Sequence, residues 1–380
     1  MFDSLAKFIQ DKYKTNSFIP LHEPRFIGNE KNFVNQTIDT TYVSTVGKYV
    51  DQFEEDLAKF TGGKKAIAIV NGTSALHLSM LLAGVKPGDC VITQSLTFVA
   101  TCNAIHYCQA EPILIDVDKK TLGLSLIALE SWLEENAFVD SNQVCRLKNS
   151  KKSIRACVPM HTFGHPVEVD ALKSITKKWK LALIEDAAES LGSLYKGVHT
   201  GTFGLAGALS FNGNKIITTG GGGAIICNEK LYTKGKHLST TAKVPNNIHF
   251  FHDEHGYNYR MPNINAALGC AQLDSVELFI AHKRELASDY AKFLEGSELE
   301  FFTEPANCRS NYWLNAVICS DKNHRDKLLS FMNAKEIMTR PIWTPMHKLP
   351  MYSEVLRDNL QNTSWLEDRI VNIPSTPLLS

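Results

Sequence analysis

From residue 64 onward, short apolar runs alternate with stretches of helical period. Residues 66–70 (Ala-Ile-Ala-Ile-Val), 90–93, 112–116, 154–159, 181–184, 207–211 and 224–227 predict strands. Residues 74–82, 98–107 and about 126–134 predict helices, and a further helix lies between the strands at 154–159 and 181–184. The strands are apolar almost throughout, so both of their faces should be buried. Such alternation predicts a mixed, mostly parallel sheet with helices on both sides. The rhythm changes near residue 245. Residues 245–259 are polar, aromatic and His-rich and predict a loop, followed by one long helix from 264 to about 294. Strands at 312–318 and 338–343, with a helix at 324–333, complete a smaller α+β unit. The expected division is a large domain at 1–250 and a small one at 251–380. The first sixty residues split between them, with 49–60 helical and the N-terminal segment packing with the small unit.

Composition narrows the function. At 380 residues the chain exceeds what one core usually serves. Lys plus Arg and Asp plus Glu are 40 each, so no global field recruits nucleic acid or an anionic membrane. Phosphate binding, if present, must be local. The nine Cys are scattered, without a C-x-x-C pair, which fits reduced core thiols better than a disulfide framework. The first ten residues carry acid early and lack an apolar core, unlike a signal peptide. No run reaches the length of a membrane span. These features lead us to expect a soluble, cytoplasmic protein.

In open α/β sheets, ligands gather at the carboxyl ends of strands, and four features fall there. In Val70-Asn-Gly-Thr-Ser-Ala-Leu-His77 a strand ends, a glycine turns and a helix begins. Helix N–H groups with Thr73 and Ser74 hydroxyls could bind an anion, although simple capping by Thr73 or Ser74 explains the segment alone. In Leu181-Ala-Leu-Ile-Glu-Asp-Ala-Ala-Glu189, Asp186 ends a strand. Its carboxylate could hold a ring nitrogen protonated, or could cap a helix starting at Ala187. In Gly207-Ala-Leu-Ser-Phe-Asn-Gly-Asn-Lys215, a strand delivers Ser210, and Lys215 follows in a small-residue turn before Gly220 to Gly223. A lysine between two buried strands is not an ordinary surface lysine, and near desolvating surface it can form a Schiff base. Phe98 follows a strand end and could stack on a planar ligand; for a lone Phe, core packing is the simpler reading.

Two patterns carry no such chemistry. Gly220 to Gly223 is followed by a strand, not a helix, so it is no dinucleotide fingerprint, and no Walker lysine pattern occurs. His249, His252 and His255, like His161 and His165, lack a helical face or a matching Cys/His half, so no metal site is expected.

The four features occur in an order that resembles the DegT/DnrJ/EryC1/StrS family of sugar aminotransferases. The likeness runs over nearly the whole chain. It includes Gly47-Lys-Tyr-Val-Asp-Gln-Phe-Glu54, His161-Thr-Phe-Gly-His-Pro166 and Gly256-Tyr-Asn-Tyr-Arg-Met-Pro-Asn263. Pro20-Leu-His-Glu-Pro-Arg25, residues 210–220 and Met338-Thr-Arg-Pro-Ile-Trp343 look like the legionaminic-acid-pathway subgroup, which aminates C4 of a UDP-linked 4-keto-6-deoxy-N-acetylhexosamine with glutamate as donor. The resemblance implies the aspartate-aminotransferase fold (a type I pyridoxal 5′-phosphate enzyme) and a homodimer with shared active sites. By the same resemblance, Lys215 holds the cofactor, Asp186 partners its ring nitrogen and Phe98 covers the ring. Thr73, Ser74 and Ser210 match phosphate ligands, and Asn258 matches a residue reaching the phosphate from the neighbouring subunit. Arg260, Arg340 and His347 are candidates for the glutamate carboxylate or the substrate diphosphate. Many members carry Gln where Glu189 stands, close to the cofactor's phenolic oxygen. A carboxylate there would repel a phenolate unless it is protonated or turned away.

Three other readings remain open at this point. One is an aminotransferase for a GDP- or dTDP-linked sugar. Another is a non-catalytic nucleotide-sugar-binding protein on the same fold. The third, a sugar dehydratase, is disfavoured because that branch replaces the lysine with histidine.

Overall fold

The computed structural model of the chain describes residues 1–246 and 248–379. Its centre is a seven-stranded sheet of β1 (Lys65–Ile69), β2 (Cys90–Gln94), β3 (Glu111–Ile115), β4 (Ile154–Val158), β5 (Ala182–Asp186), β6 (Ala206–Ser210) and β7 (Gly223–Cys227). The spatial order is β1-β7-β6-β5-β4-β2-β3. β6-β5, β5-β4, β4-β2 and β2-β3 pair in parallel, while β7 runs antiparallel to both β1 and β6. The hydrophobic runs thus mark the expected mixed sheet, and the antiparallel β7 returns the chain from the Lys215 turn.

Helices accompany the strands: α1 (Phe2–Tyr13) and α2 (Glu30–Asp39) precede β1, and α6 (Leu126–Asn136), α7 (Val169–Lys178) and α8 (Glu229–Ser239) follow β3, β4 and β7. α3 (Lys48–Thr61) buries Tyr49, Val50, Phe53 and Leu57 on one stripe and stops at Gly62, whose φ of 65° is a left-handed C-cap that glycine adopts without strain. α4 (Gly72–Leu82) and α5 (Val99–Tyr107) follow β1 and β2. The expected single helix over 264–294 is instead two, α9 (Asn263–Leu273) and α10 (Val276–Leu294), bent by 58°. The break at Asp274 and Ser275 contains neither Gly nor Pro, so the apolar period runs through it unmarked. Among the described residues no single helix is long and apolar enough to cross a membrane. The nine cysteines are free thiols, all but Cys308 fully buried.

A second sheet of four strands contains β8 (Glu300–Phe301), β9 (Asn315–Ile318), β10 (Arg340–Pro341) and β11 (Ile370–Ile373), in the order β8-β9-β11-β10. Its core joins Leu286 and Tyr290 of α10 to Val317, Leu328 and Val371, and the N-terminal helix Phe2–Tyr13 adds Leu5 and Ile9. Residues just after 250 do not join this core. Arg260 bridges to Ile69 at the end of β1, and Ala266, Ala267 and Cys270 of α9 share a cluster with Phe53 of α3. Val276, Phe279 and Ile280 at the start of α10 share that cluster too, so we propose that the small unit begins within α10, near Leu286, not at 251.

Three buried histidines make stability sensitive to acid. Burial pushes His165 down to about 3, and His77 and His199 down to about 4. Between those values and the unfolded value near 6.5, the unfolded chain binds protons that the native chain refuses. Stability is therefore expected to fall as pH drops through that window, by roughly 1.4 kcal/mol per pH unit for each histidine. Urea midpoints at pH 7 and pH 5 measure this, and His165→Phe, set between the rings of Phe302 and Tyr312, should flatten the slope. Equal midpoints at the two pH values would reject the account.

Candidate active site

A cavity of ≈ 330 Å³ opens at the carboxyl ends of β1, β5 and β6. Thr73, Phe98, Asp186, Glu189, Ser210 and Lys215 line it, so six of the sequence candidates meet in one place.

One end is built for an anion. Asn71, with extended backbone, caps α4: its side chain accepts the Ser74 N–H at 2.8 Å. The expectation that Thr73 or Ser74 is the cap is thereby corrected. The helix starts at Gly72, so the N-cap position falls on Asn71, an equally good capping residue. Thr73 is left at the cavity wall, while Ser74 is buried and does not line it. Gly72 lets the helix end approach β6, because a Cβ there would lie 2.9 Å from the Ser210 Cβ. Gly223 serves the same approach; its Cβ would stand 2.5 Å from the Asn71 carbonyl carbon. A helix N-terminus with Thr73 and Ser210 hydroxyls beside it suits a phosphate.

Asp186 lines the cavity from the end of β5. It is 2% exposed. Its Oδ2 accepts the Thr101 hydroxyl at 2.7 Å and its Oδ1 accepts the Ala188 N–H at 3.2 Å. Burial raises its carboxyl above the usual range, and these hydrogen bonds and the Lys215 charge pull it back. No helix begins at Ala187. Oδ1 closes a tight turn onto the N–H two residues on, and the chain continues as turns through Glu189. The capping alternative for Asp186 therefore falls.

Lys215 lines the same cavity. Its N–H donates to Asn212 O in the turn after β6. Nζ lies 3.8 Å from the Trp313 ring centroid and 3.4 Å from Glu189 Oε1. Glu189 lines the cavity, so its carboxyl is not turned away from the site, and Oε2 accepts the Phe163 N–H at 2.9 Å. Burial pushes its carboxyl up to about 7 against the opposing pull of Lys215. Phe98 is 49% exposed at the cavity mouth with its ring 6.3 Å from that of Trp343, which rules out the core-packing reading.

The sequence reading missed several lining residues: Asn71, Met160, Asn212, Asn214, Trp313 and Trp343. Asn71, Asn212, Asn214 and Trp343 lie inside motifs already singled out, but Trp313 comes from the small unit and no local pattern ties it to Lys215. Its Nε1 donates to Asn214 O at 2.6 Å, fixing the ring over the lysine turn.

Besides Ser74, four candidates lie outside this cavity. Arg260 donates to Asn258 Oδ1 through Nε and Nη2 at 3.2 and 3.0 Å, and Asn258 is exposed. Arg340 is exposed on β10, and His347 Nδ1 sits 2.8 Å from Ser95 Oγ. Of the histidines set aside as metal ligands, His161 Nε2 pairs with buried Glu185 at 3.1 Å and His252 Nδ1 with Thr241 O at 2.8 Å.

The donor set fits a flat, phosphorylated pyridine aldehyde: hydroxyls and helix N–H groups suit its phosphate, an amine its aldehyde and a buried carboxylate its ring nitrogen. Comparison with known proteins agrees. The model of the DegT/DnrJ/EryC1/StrS aminotransferase family matches residues 25–380. GDP-perosamine synthase of Escherichia coli O157:H7 is 37% identical over 371 residues, 96% of this chain and 94% of the relative. That of Vibrio cholerae is 35% identical over 364 residues, 94% of each chain. The crystal structure of the aminotransferase TlmJ from Streptoalloteichus hindustanus superposes with a TM-score of 0.86 at 25% identity, covering 96% of this chain and 95% of that one. The chain belongs to the DegT/DnrJ/EryC1/StrS aminotransferase family and is a sugar aminotransferase of the type I fold that uses pyridoxal phosphate.

Proposed function

We propose that this enzyme moves the amino group of glutamate to C4 of a nucleotide-linked 4-keto-6-deoxy sugar. The observation that carries the reading is the meeting of Ser210, Thr73, Lys215 and Asp186 in one cavity. Pyridoxal phosphate, when bound, supplies an electron sink for the carbanion formed at the donor's Cα. Thr73 and Ser210 hold its phosphate at the start of α4, Ser74 being set back from the cavity, and Phe98 covers its ring. Lys215 holds the cofactor at rest and, once freed, carries the proton from the donor's Cα. Asp186 keeps a proton on the ring nitrogen. After glutamate leaves as an oxoacid, the keto sugar enters and the same groups act in reverse, which predicts ping-pong kinetics.

Two readings of the nucleotide stand, each on its own observation. Relatives named GDP-perosamine synthase, matched along nearly their full length, favour a GDP-linked sugar. The likeness of residues 20–25, 210–220 and 338–343 to the legionaminic-acid subgroup favours a UDP-linked N-acetylhexosamine. A panel of UDP-, GDP- and dTDP-linked 4-keto sugars, assayed for amino sugar with glutamate as donor, separates them. Product from none of the three would overturn the substrate class, and a cofactor bound without turnover would favour a binding protein.

The active unit in this reading is a homodimer with shared sites. Phe250 is 85% exposed and Phe251 59% exposed, a cost in water that a subunit contact removes. The hydrogen bond between Arg260 and Asn258 holds the two side chains together, and neither lines the chain's own cavity. Lys215→Ala and Asn258→Ala/Arg260→Ala chains should each be inactive alone. Mixed after partial unfolding, they should regain activity, because each mixed dimer holds one undamaged site. No recovery despite demonstrated subunit exchange would mean that the segment serves its own chain.

A further inference from the structure

The roles above leave Glu189 without one, although it is the carboxylate in contact with Lys215. Both of its oxygens are committed. Oε2 takes the Phe163 N–H at 2.9 Å, and Oε1 faces Lys215 Nζ at 3.4 Å. Its backbone is anchored as well, with Asn311 Nδ2 donating to its carbonyl at 2.9 Å. The Glu189 side chain is 2% exposed and that of Lys215 14%. A carboxylate so enclosed needs either a cation or a proton, because an unpaired buried charge is strongly unfavourable. Asp186, the other ionisable group acting on it, is an anion and makes the need greater; the carboxyl titrates near 7 even with the lysine charge beside it.

We infer that Glu189 is the proton acceptor of Lys215: when the lysine enters a covalent bond, its surplus proton passes to Glu189 Oε1. This rests on the reading of Lys215 as the cofactor-holding residue. The step balances. Lys215 begins as an ammonium with three N–H protons. Nζ forms a double bond to the aldehyde carbon of the cofactor, the carbon–oxygen bond breaks, and the oxygen leaves as water with two of those protons. The third crosses to the carboxylate. Nothing is oxidised or reduced, and the ion pair becomes two neutral groups, so neither Lys215 nor Glu189 is left as an unpaired charge. Gln at this position offers a hydrogen bond but has no site for the proton, which is the physical difference the acid makes here.

The test adds pyridoxal phosphate to the cofactor-free full chain at about pH 8, above the carboxyl's own titration. Protons released are counted by calorimetry in buffers of different ionisation enthalpy, with Lys215→Ala as the blank for noncovalent binding. Glu189→Gln is expected to release about one proton per site more than the unaltered chain. Equal release, from two proteins that both form a borohydride-reducible bond, overturns the inference. Absence of that bond in the unaltered chain overturns the cofactor reading instead. If Glu189→Gln does not fold, infrared spectra of the unaltered chain decide alone. A protonated-carboxyl band that appears on loading supports the transfer, and its absence at full loading overturns it.

Discussion

Lys215→Ala is expected to abolish transamination and leave the chain folded. The lysine does two things in this reading, and alanine can do neither. It holds the cofactor in position, and its freed amine moves the Cα proton. A positioned general acid–base alone is worth roughly 10²–10⁴ in rate, and loss of the covalent hold adds to that. The fold should tolerate the change. Trp313 keeps its hydrogen bond to Asn214 O, and the Lys215 backbone keeps its turn to Asn212. Glu189 loses its cation, but a carboxyl already pushed up to about 7 by burial can take a proton instead of forcing the site apart. The measurements are steady-state turnover, the thermal midpoint, and mass spectrometry after borohydride reduction. The reduced adduct should sit on Lys215 in the unaltered chain and be missing from the variant. Near-normal turnover by purified Lys215→Ala would remove this lysine from the chemistry.

Sequence patterns located most of the fold because burial on both faces writes itself into a strand. Each expected strand of the large sheet overlaps an observed one: 66–70 against β1 and 224–227 against β7, with ends shifted by a residue or two. The failures have physical causes. Asn71, Thr73 and Ser74 can all cap a helix, so composition could not say which residue begins α4; the approach of Gly72 to Ser210 decides it. Asp186 offers the same carboxylate to a cap or to a tight turn, and the sequence has no sign that separates them. The bend between α9 and α10 falls at Asp274 and Ser275, where the chain breaks direction without glycine or proline. Contacts between units are the least visible. Trp313 reaches Lys215 across 98 positions of chain because Lys283, buried on the apolar stripe of α10, donates to the Trp313 carbonyl at 3.1 Å. A lysine at such a position reads as a flaw in the helical period. In the fold it is a clamp that also donates to the carbonyl of Ser375.

Asp186→Asn is expected to cut turnover severely with little change in stability, and the local hydrogen bonds explain why the two effects separate. The carboxylate of Asp186 accepts from the Thr101 hydroxyl on one oxygen and the Ala188 N–H on the other. Asparagine can satisfy both partners. Its Oδ1 keeps the Ala188 N–H, and its Nδ2 donates to the Thr101 hydroxyl, which reverses its role. That hydroxyl also has Thr97 Oγ1 at 3.1 Å to receive its proton. The fold therefore loses no buried partner, and it sheds a buried charge that burial already disfavours. The chemistry has no such substitute. An amide cannot hold a proton on a ring nitrogen by charge, and a hydrogen bond to a charged group is worth roughly 1.5–3 kcal/mol, or about 10- to 150-fold in rate, before any penalty from the neutral ring. Turnover at saturating substrate and the urea midpoint should be read on the same preparation. A fall in both would make Asp186 a structural residue, and normal turnover would show that the strand-end carboxylate has no part in the reaction.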